Sequence, residues 1–329
     1  MEHIWFRNST IGKLSTNAFF HLTHVSYLYF RDVTFKNIER RAFGKMYSIG
    51  HLFMSGVIKV EESESSLFAS SSIEELLIEG LKGQLDVAFL LGANIRNAVM
   101  RESKFRCENG DEDKVTKAPG SSSSLPSTRK KSSITFNNVT STVLVPHLLV
   151  HFNQIHFHNS SVGSIRANQD LLRDHSCNNV SFNFHKTVVD HIESHAFNGL
   201  SVDILNISNS RIEHMSRLAM AGATFDRIQI SGTELRVLDE LVFADVRVAS
   251  LEMTGTRINR IPLRAFENSQ VGNLTISSCE IKILASKAFN NSRLETLAMK
   301  NTIVNNAEPQ PFVHLQVGLF AGYLWISFY

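Results

Sequence analysis

The sequence predicts a solenoid, a stack of similar coils around one continuous core. Its C-terminal half repeats every 23 residues without a slip, and apolar residues follow each repeat head at offsets of +2, +7, +10 and +15. The heads are Phe182, Leu205, Ile228, Leu251, Leu274 and Leu297. Internal similarity with a period of 20–50 residues is typical of solenoids.

The head of each copy has the pattern of a β-strand. In one copy Leu251 and Met253 are apolar, whereas the flanking Ser250, Glu252 and Thr254 are polar. Alternate residues of a strand point to opposite faces, so one face of the predicted sheet packs on a core and the other meets solvent. A single copy cannot bury its apolar face, so stability must come from stacked neighbours.

One copy, starting at Val248, reads V-x-x-L-x-M-x-x-T-x-I-x-x-I-P-x-x-A-F. It resembles the leucine-rich-repeat family, in particular its extracellular "typical" subtype, with the pattern L-x-x-L-x-L-x-x-N-x-L-x-x-L-P-x-x-A-F-x-x-L. The Ala-Phe pair recurs at Ala18-Phe19, Ala42-Phe43, Ala88-Phe89, Ala196-Phe197, Ala265-Phe266 and Ala288-Phe289. The resemblance implies an α/β solenoid of the leucine-rich-repeat type that is curved, with a parallel β-sheet on its concave face.

The chain departs from that family where the pattern has asparagine, five residues after the head. That column contains Thr187, Ser210, Thr233, Thr256, Cys279 and Thr302. Hydroxyl groups can still satisfy buried backbone groups, which must find hydrogen-bond partners. We therefore expect the same fold with a weaker ladder.

Looser copies extend the repeat upstream and give about thirteen coils of ~23 residues. Their heads are Ile4, Leu28, Leu52, Leu76, Ala98, Ile134 and Ile155. The segment 107–133 is polar, rich in serine and without apolar period, which predicts a disordered insertion. The predicted organisation is N-terminal repeats (1–106), this insertion (107–133), C-terminal repeats (134–312) and an apolar tail (313–329).

The main alternative fold is a right-handed parallel β-helix of a polysaccharide-processing enzyme. Its coils carry three strands and usually lack a fixed Ala-Phe pair, and its enzymes need clustered carboxylates. The chain contains no phosphate-binding glycine motif, no G-x-S-x-G and no H-E-x-x-H. We therefore predict a protein that is not an enzyme and uses no cofactor.

Charge excludes a nucleic-acid partner, because 33 basic residues balance 31 acidic ones to a net charge of +2. Histidines are concentrated at 147, 151, 156, 158 and 185. His158 and His185 occupy one column on adjacent strands, ~4.8 Å apart. They could form a metal site, a pH-sensitive patch or a pair of exposed polar residues. No cysteine or carboxylate completes a ligand set, so we predict no metal.

Cysteine usage leaves one pairing open. Cys107 and Cys177 both border irregular stretches, and a disulfide between them is a candidate. Cys279 lies in the hydroxyl column and is predicted to be a buried free thiol.

Seven Asn-x-Ser/Thr sequons favour an extracellular or cell-surface location. They are Asn8, Asn138, Asn159, Asn179, Asn206, Asn273 and Asn290. The first ten residues do not resemble a signal peptide, and Cys-rich caps of secreted relatives are not recognisable. We therefore expect a fragment, attached to a membrane only through an anchor beyond its C-terminus.

The predicted function is non-catalytic binding of a protein or glycoconjugate, most consistent with an extracellular receptor or adhesion protein. A secreted binding subunit or inhibitor and an intracellular scaffold are the alternatives. The concave sheet face supplies the predicted partner-binding residues. They are His185, Asn206, Ser208, Gln229, Ser231, Glu252, Thr254, Thr275, Ser277 and Lys300.

Overall fold

A computed structural model describes residues 3–20, 22–58, 66–82, 85–90, 92–106, 132–167, 180–321 and 325–326. It contains two compact units. The N-terminal unit comprises Met1–Thr142 with His151–Gln154, and the C-terminal unit comprises Val143–Val150 with Ile155–Tyr329. In each unit successive coils add parallel strands to two sheets, so the predicted solenoid is confirmed. We call the sheet that contains the repeat heads the first sheet.

Within its described residues, the N-terminal unit contains nine strands and one 3-10 helix, Val87–Leu90. The strands are β1 His3–Arg7, β2 Thr10–Ile11, β3 Thr23–Phe35, β4 Tyr47–Ile58, β5 Ser72–Lys82, β6 Leu85–Asp86, β7 Asn94–Arg101, β8 Lys104–Arg106 and β9 Ser133–Asn137. Strands β1, β3, β4, β5, β7 and β9 carry the heads and belong to the first sheet.

Two strands cross the boundary between the units, β10 Thr140–Leu144 and β11 Gln154–His158. The strands that follow alternate between the second and the first sheet. They are β12 Ser161–Ile165, β13 Val180–His185, β14 Val188–Ile192, β15 Ser201–Ser208, β16 Arg211–Met215, β17 Thr224–Ser231, β18 Glu234–Leu238, β19 Arg247–Thr254, β20 Arg257–Ile261, β21 Gln270–Ser277, β22 Glu280–Leu284, β23 Arg293–Lys300, β24 Ile303–Ala307, β25 Gln316–Ala321 and β26 Trp325–Ile326. A 3-10 helix spans Pro146–Leu149.

The return segments correct the helical part of the predicted α/β class. Among the described residues the helices are two short 3-10 turns, and eleven coils instead carry a second strand. Return segments such as RIEHM, ELRVL and EIKIL are only five residues long, and each buries only its second and fifth residues. Such a short segment cannot form a stable helix with a buried face, and it pairs instead with the equivalent segments of neighbouring coils as a strand. About thirteen coils were predicted, and eleven have both strands.

The strand register confirms the 23-residue period. Leu205 pairs with Ile228, Ile228 with Leu251, and Leu251 with Leu274. The register continues into the predicted apolar tail, where Phe320 pairs with Leu297 through β25. The described part of the tail therefore forms strands of a further coil.

The core consists of columns of apolar side chains that repeat from coil to coil. The Phe243, Phe266 and Phe289 rings stack with centroids 5.0 and 4.9 Å apart, and all three side chains are buried. Phe43 and Phe68 have the equivalent role in the N-terminal unit, with centroids 5.2 Å apart. Both units are thus held by aromatic columns that a single coil could not bury.

The coils headed by Phe182 to Leu297 each turn at three positions with left-handed backbone. In the coil headed by Leu251 these are Gly255, Arg264 and Asn268, with φ of 59°, 56° and 55°. The same offsets recur in neighbouring coils, for example at Ser278 and Lys287, both with φ of 52°. Glycine adopts this conformation without cost, whereas other residues adopt it against a steric penalty.

The column of hydroxyl residues forms a continuous buried ladder in the C-terminal unit. The Thr256 hydroxyl has two carbonyl acceptors, Ile230 O at 3.2 Å in the previous coil and Thr254 O at 3.3 Å. The ladder has the same pair of contacts at Thr187, Ser210, Thr233, Cys279 and Thr302. Side chains of this column therefore replace the asparagines of the family pattern, since they link adjacent coils by hydrogen bonds to buried carbonyls.

Candidate functional site

The predicted partner-binding residues lie on the solvent face of the first sheet, in two columns of the C-terminal unit. Register pairs Asn206, Gln229, Glu252 and Thr275 on consecutive strands. A parallel column contains His185, Ser208, Ser231, Thr254, Ser277 and Lys300. None of these ten residues is buried. The structure therefore brings all of them to one face, and their role in binding stays a prediction.

Hydrogen bonds between strands order this polar face. Gln229 Nε2 donates to Glu252 Oε2 at 3.2 Å, and Asn206 Nδ2 donates to an Asn183 oxygen at 3.4 Å. Hydroxyls pair in the second column, where Thr254 and Ser277 lie 3.1 Å apart. Cross-strand pairs of this kind stabilise the sheet and fix side chains. The face is thus polar, regular and largely preorganised.

Three histidines lie together at one end of the polar face. The ring centroids of His158 and His185 are 5.8 Å apart, and those of His156 and His158 are 6.1 Å apart. His185 Nδ1 lies 3.0 Å from the Ser208 hydroxyl oxygen. Burial lowers the pKa of His156, and the charge of His158 lowers it further. The pKa of His158 is lowered by burial and then by His185.

Both causes disfavour the protonated ring of His156 and of His158. Within the described part of the chain, no group of three or more His, Cys, Asp or Glu residues is arranged to hold a metal ion. Of the readings left open by the sequence, the geometry fits a pH-sensitive patch better than a metal site.

Aromatic residues cover the same sheet face in the N-terminal unit, and the sequence analysis missed them. His3, Tyr27 and His51 form one column, with centroids 4.8 and 4.6 Å apart. Trp5, Tyr29 and Phe53 form the next column. Most phenylalanines are core residues, whereas these rings lie one position before or after a repeat head. That outward position is the sequence signal for an aromatic surface.

A sequence model of the BspA-type leucine-rich-repeat region matches residues 1–103 and 174–296 in six copies. The chain belongs to the BspA-type leucine-rich-repeat family. A search of curated proteins found no match. The matched residues include both the aromatic face and most of the polar face, so both surfaces belong to BspA-type repeats. The "typical" extracellular subtype stays a prediction.

The sequons of this BspA-type chain differ in how they are presented. Asn8, Asn138 and Asn159 are exposed, with φ of 45°, 54° and 48° at a coil corner. Asn273 is exposed on the polar face. By contrast, Asn206 and Asn290 are half-buried, and their side-chain nitrogens already donate hydrogen bonds. Asn179 lies outside the described residues.

Of the three cysteines, only Cys279 lies within the described residues. Cys279 is a buried free thiol, and burial raises its pKa. Cys107 and Cys177 lie outside the described residues, as does most of the predicted insertion (107–131). Among the described residues no helix has the length and apolar character to cross a membrane.

Proposed function

We propose that this BspA-type array is a non-catalytic module that binds another macromolecule through the solvent face of its first sheet. We further propose that it acts outside the cell, in a receptor or adhesion protein. The observation that carries the first part is the polar face of the C-terminal unit. Its side chains are accessible, repeat at fixed register and hydrogen-bond one another across strands. Extended faces of solenoids are common binding surfaces.

The polar face suits recognition because its side chains are already ordered. A surface that is ordered before it binds loses less conformational entropy in the complex. The strands below are fixed by the hydroxyl ladder and by the apolar columns. Gln229 and Glu252 are central in this face, each flanked by register partners on both sides.

A binding experiment tests the first part of the proposal. Partners are selected with the folded chain from a displayed library of extracellular proteins and glycans. The double variant Gln229→Tyr and Glu252→Tyr should then weaken binding of the selected partner by at least about tenfold, because bulky rings displace the ordered polar contacts. The unfolding midpoint should stay unchanged.

The matched control places the same bulk on the other sheet. Val237 is exposed in β18, so Val237→Tyr adds a ring without touching the polar face. It should leave binding intact. Equal loss in both variants, or unchanged affinity in the double variant, would move the binding site away from this face.

The extracellular part is supported by the exposed sequons and has its own test. The chain is expressed behind a heterologous signal peptide, and glycan occupancy is measured by mass spectrometry. Asn138 and Asn159 should be occupied, because they are exposed at corners. Asn206 and Asn290 should be less occupied, because their amide groups are hydrogen-bonded. Bare Asn138 and Asn159 would argue against a secretory route.

A further inference from the structure

The solvent face of the N-terminal unit carries a compact patch of aromatic side chains. We call it the aromatic patch, and it consists of His3, Trp5, Tyr27, Tyr29, His51 and Phe53. None of the six is fully buried, and Trp5 is 46% exposed. Soluble surfaces seldom gather so many rings, and aromatic residues are enriched where proteins bind one another.

The rings of the patch are stacked on one another along the sheet. Trp5 and Tyr29 have centroids 4.0 Å apart and planes within 6°, while His3 and Tyr27 lie at 4.8 Å and 10°. These separations are close to the ~4.8 Å distance between strands, so the planes stand upright on the sheet. Both faces of Tyr27 and Tyr29 are consequently occupied by neighbouring rings, and the edges of these two rings meet solvent. The edge is the positive end of an aromatic quadrupole.

Two arginines increase the positive character beside the patch. Arg7 and Arg31 occupy adjacent strands in direct register, and the Arg7 guanidinium lies 4.5 Å from the Trp5 ring centroid. Among the described residues, the ion pairing of these two arginines is one 3.9 Å contact between Arg31 and Asp32. Like charges directly opposite each other destabilise a sheet. A bound anion between them would remove that cost.

A groove runs along this edge of the patch and has a volume of about 760 Å³. Its walls include Trp5, Tyr29 and Phe53, and both arginines line it. Asp32, Glu79 and Lys82 also line the groove. His51 Nδ1 meets Glu75 Oε2 at 2.8 Å on the side of the patch away from the arginines. The groove therefore has Arg7, Arg31 and Asp32 at one end and Glu79 with Lys82 toward β5, so that its net positive charge comes from the arginine pair.

We propose that the aromatic patch and its groove bind an extended acidic segment of a partner protein. The segment's carboxylates lie between Arg7 and Arg31, and its apolar or aromatic side chains pack on the ring edges. Tryptophan, tyrosine and arginine together are typical of the residues that dominate protein interfaces. Sugar stacking needs free ring faces, and neighbouring rings cover both faces of Tyr27 and one face of Trp5. The inference rests on the proposed function only in that the chain is a binding array.

Trp5 supplies a direct reporter, because the chain contains two tryptophans, Trp5 and Trp325. In the full-length Trp325→Phe protein, fluorescence comes from Trp5 alone. The probe is a synthetic peptide of alternating glutamate and tyrosine, titrated at low salt. Binding should change Trp5 emission, and rising salt should weaken it because exposed charges are screened. The matched peptide with glutamine in place of glutamate should bind at least about tenfold more weakly.

Variants separate recognition from folding. Arg7→Gln with Arg31→Gln should weaken the acidic peptide by at least about tenfold, whereas Arg257→Gln on the second sheet should not. Arg7→Glu with Arg31→Glu should instead bind a lysine–tyrosine peptide, an exchange that no folding defect could produce. Circular dichroism should be unchanged throughout, because both side chains are exposed.

Three results would overturn the proposal. They are equal affinity for the glutamine peptide, unchanged affinity after loss of both arginines, and saturable binding of heparin without binding of the acidic peptide. The last would assign the patch to a sulfated glycan. Each can occur while a partner selected on the polar face still responds to Gln229→Tyr and Glu252→Tyr, so failure here leaves the proposed function standing.

Discussion

The two units close the same corner of the coil in different ways. In the C-terminal unit, strands of the first sheet such as β17 and β19 have eight residues and stop at the corner, where a buried hydroxyl follows. In the N-terminal unit, β3, β4 and β5 have 13, 12 and 11 residues and run through it. There the hydroxyl column contains Val33 and Leu81, and Gly56 pairs with Val33.

In these coils the way the corner is satisfied goes with the side chain at the hydroxyl column. Where a hydroxyl is present, it binds carbonyls of two coils and lets the strand end sharply. In β3, β4 and β5, which have no hydroxyl in this column, the backbone continues its ladder through the corner, with register shifts near Phe30 and Ser55. Both solutions satisfy buried backbone groups, as they must.

The largest expected effect tests what the two units share, the aromatic core column. Phe266→Ala should lower the free energy of unfolding by about 3–5 kcal/mol, because it removes a buried ring and leaves a cavity. The ring is stacked on both sides, at 5.0 and 4.9 Å. Urea denaturation followed by circular dichroism measures the change.

The control for Phe266 is Phe312, which is the next ring in the column and is only half-buried. Phe312→Ala should lower the free energy of unfolding by clearly less than Phe266→Ala does. A loss below about 1 kcal/mol at Phe266 would mean that the column is not core.

The second-largest expected effect tests the hydroxyl that closes the corner in the C-terminal unit. Thr256→Val keeps the side-chain shape but removes the hydroxyl, so the carbonyls of Ile230 and Thr254 lose a buried partner. We expect a loss of about 1–3 kcal/mol in the free energy of unfolding. Thr256→Ser retains the hydroxyl and should preserve the hydrogen bonds. Adding a hydroxyl by Val33→Thr should not raise the free energy of unfolding, because backbone pairing between strands already continues through that corner.

The sequence predicted the solenoid, its register and the buried ladder because all three depend on residues that recur at one offset. Thr256 and Phe266 could be assigned by position alone. The second strand was missed because the leucine-rich-repeat resemblance implied a helix, although segments such as RINRI are only five residues long.

The aromatic patch was missed for a different reason. Its rings belong to three coils only, so no period drew attention to Trp5 or Tyr29. Stacking across strands and the unmatched positive charge of Arg7 depend on how neighbouring coils are juxtaposed. Those relations become visible only when the register of β1, β3 and β4 is known.

A smaller change in stability is expected at the corner position with left-handed backbone, one residue before the hydroxyl column. Ser278 adopts φ of 52°, while the two preceding coils have Gly232 and Gly255 there. Ser278→Gly should raise the free energy of unfolding by up to about 1 kcal/mol, because glycine adopts this backbone without steric cost. Gly255→Ala is the reverse control and should destabilise, even though the nearest atom to its Cβ would be the Gly232 nitrogen at 3.9 Å, an ordinary van der Waals distance. Destabilisation by Ser278→Gly would mean that the serine side chain supports this corner.

The smallest expected effect is a pH dependence confined to the C-terminal unit. Folding lowers the pKa of His156 and His158 from the ordinary value of 6.5, through burial first and neighbouring histidines second. Well above pH 6.5 both rings are neutral in the folded and unfolded chains, so they do not make stability depend on pH. As the pH falls below 6.5, the unfolded chain binds more protons than the folded one, and stability decreases. The effect is modest because both rings are partly exposed to water.

Denaturation midpoints between pH 7.5 and 5 would measure this dependence. The double variant His156→Gln and His158→Gln should flatten it, and each single variant should remove a part, since each ring has a lowered pKa. Such a response would distinguish the units, because both histidines lie in the C-terminal unit. An unchanged slope in the double variant would place the acid sensitivity elsewhere and leave the histidines as ordinary polar residues of the face.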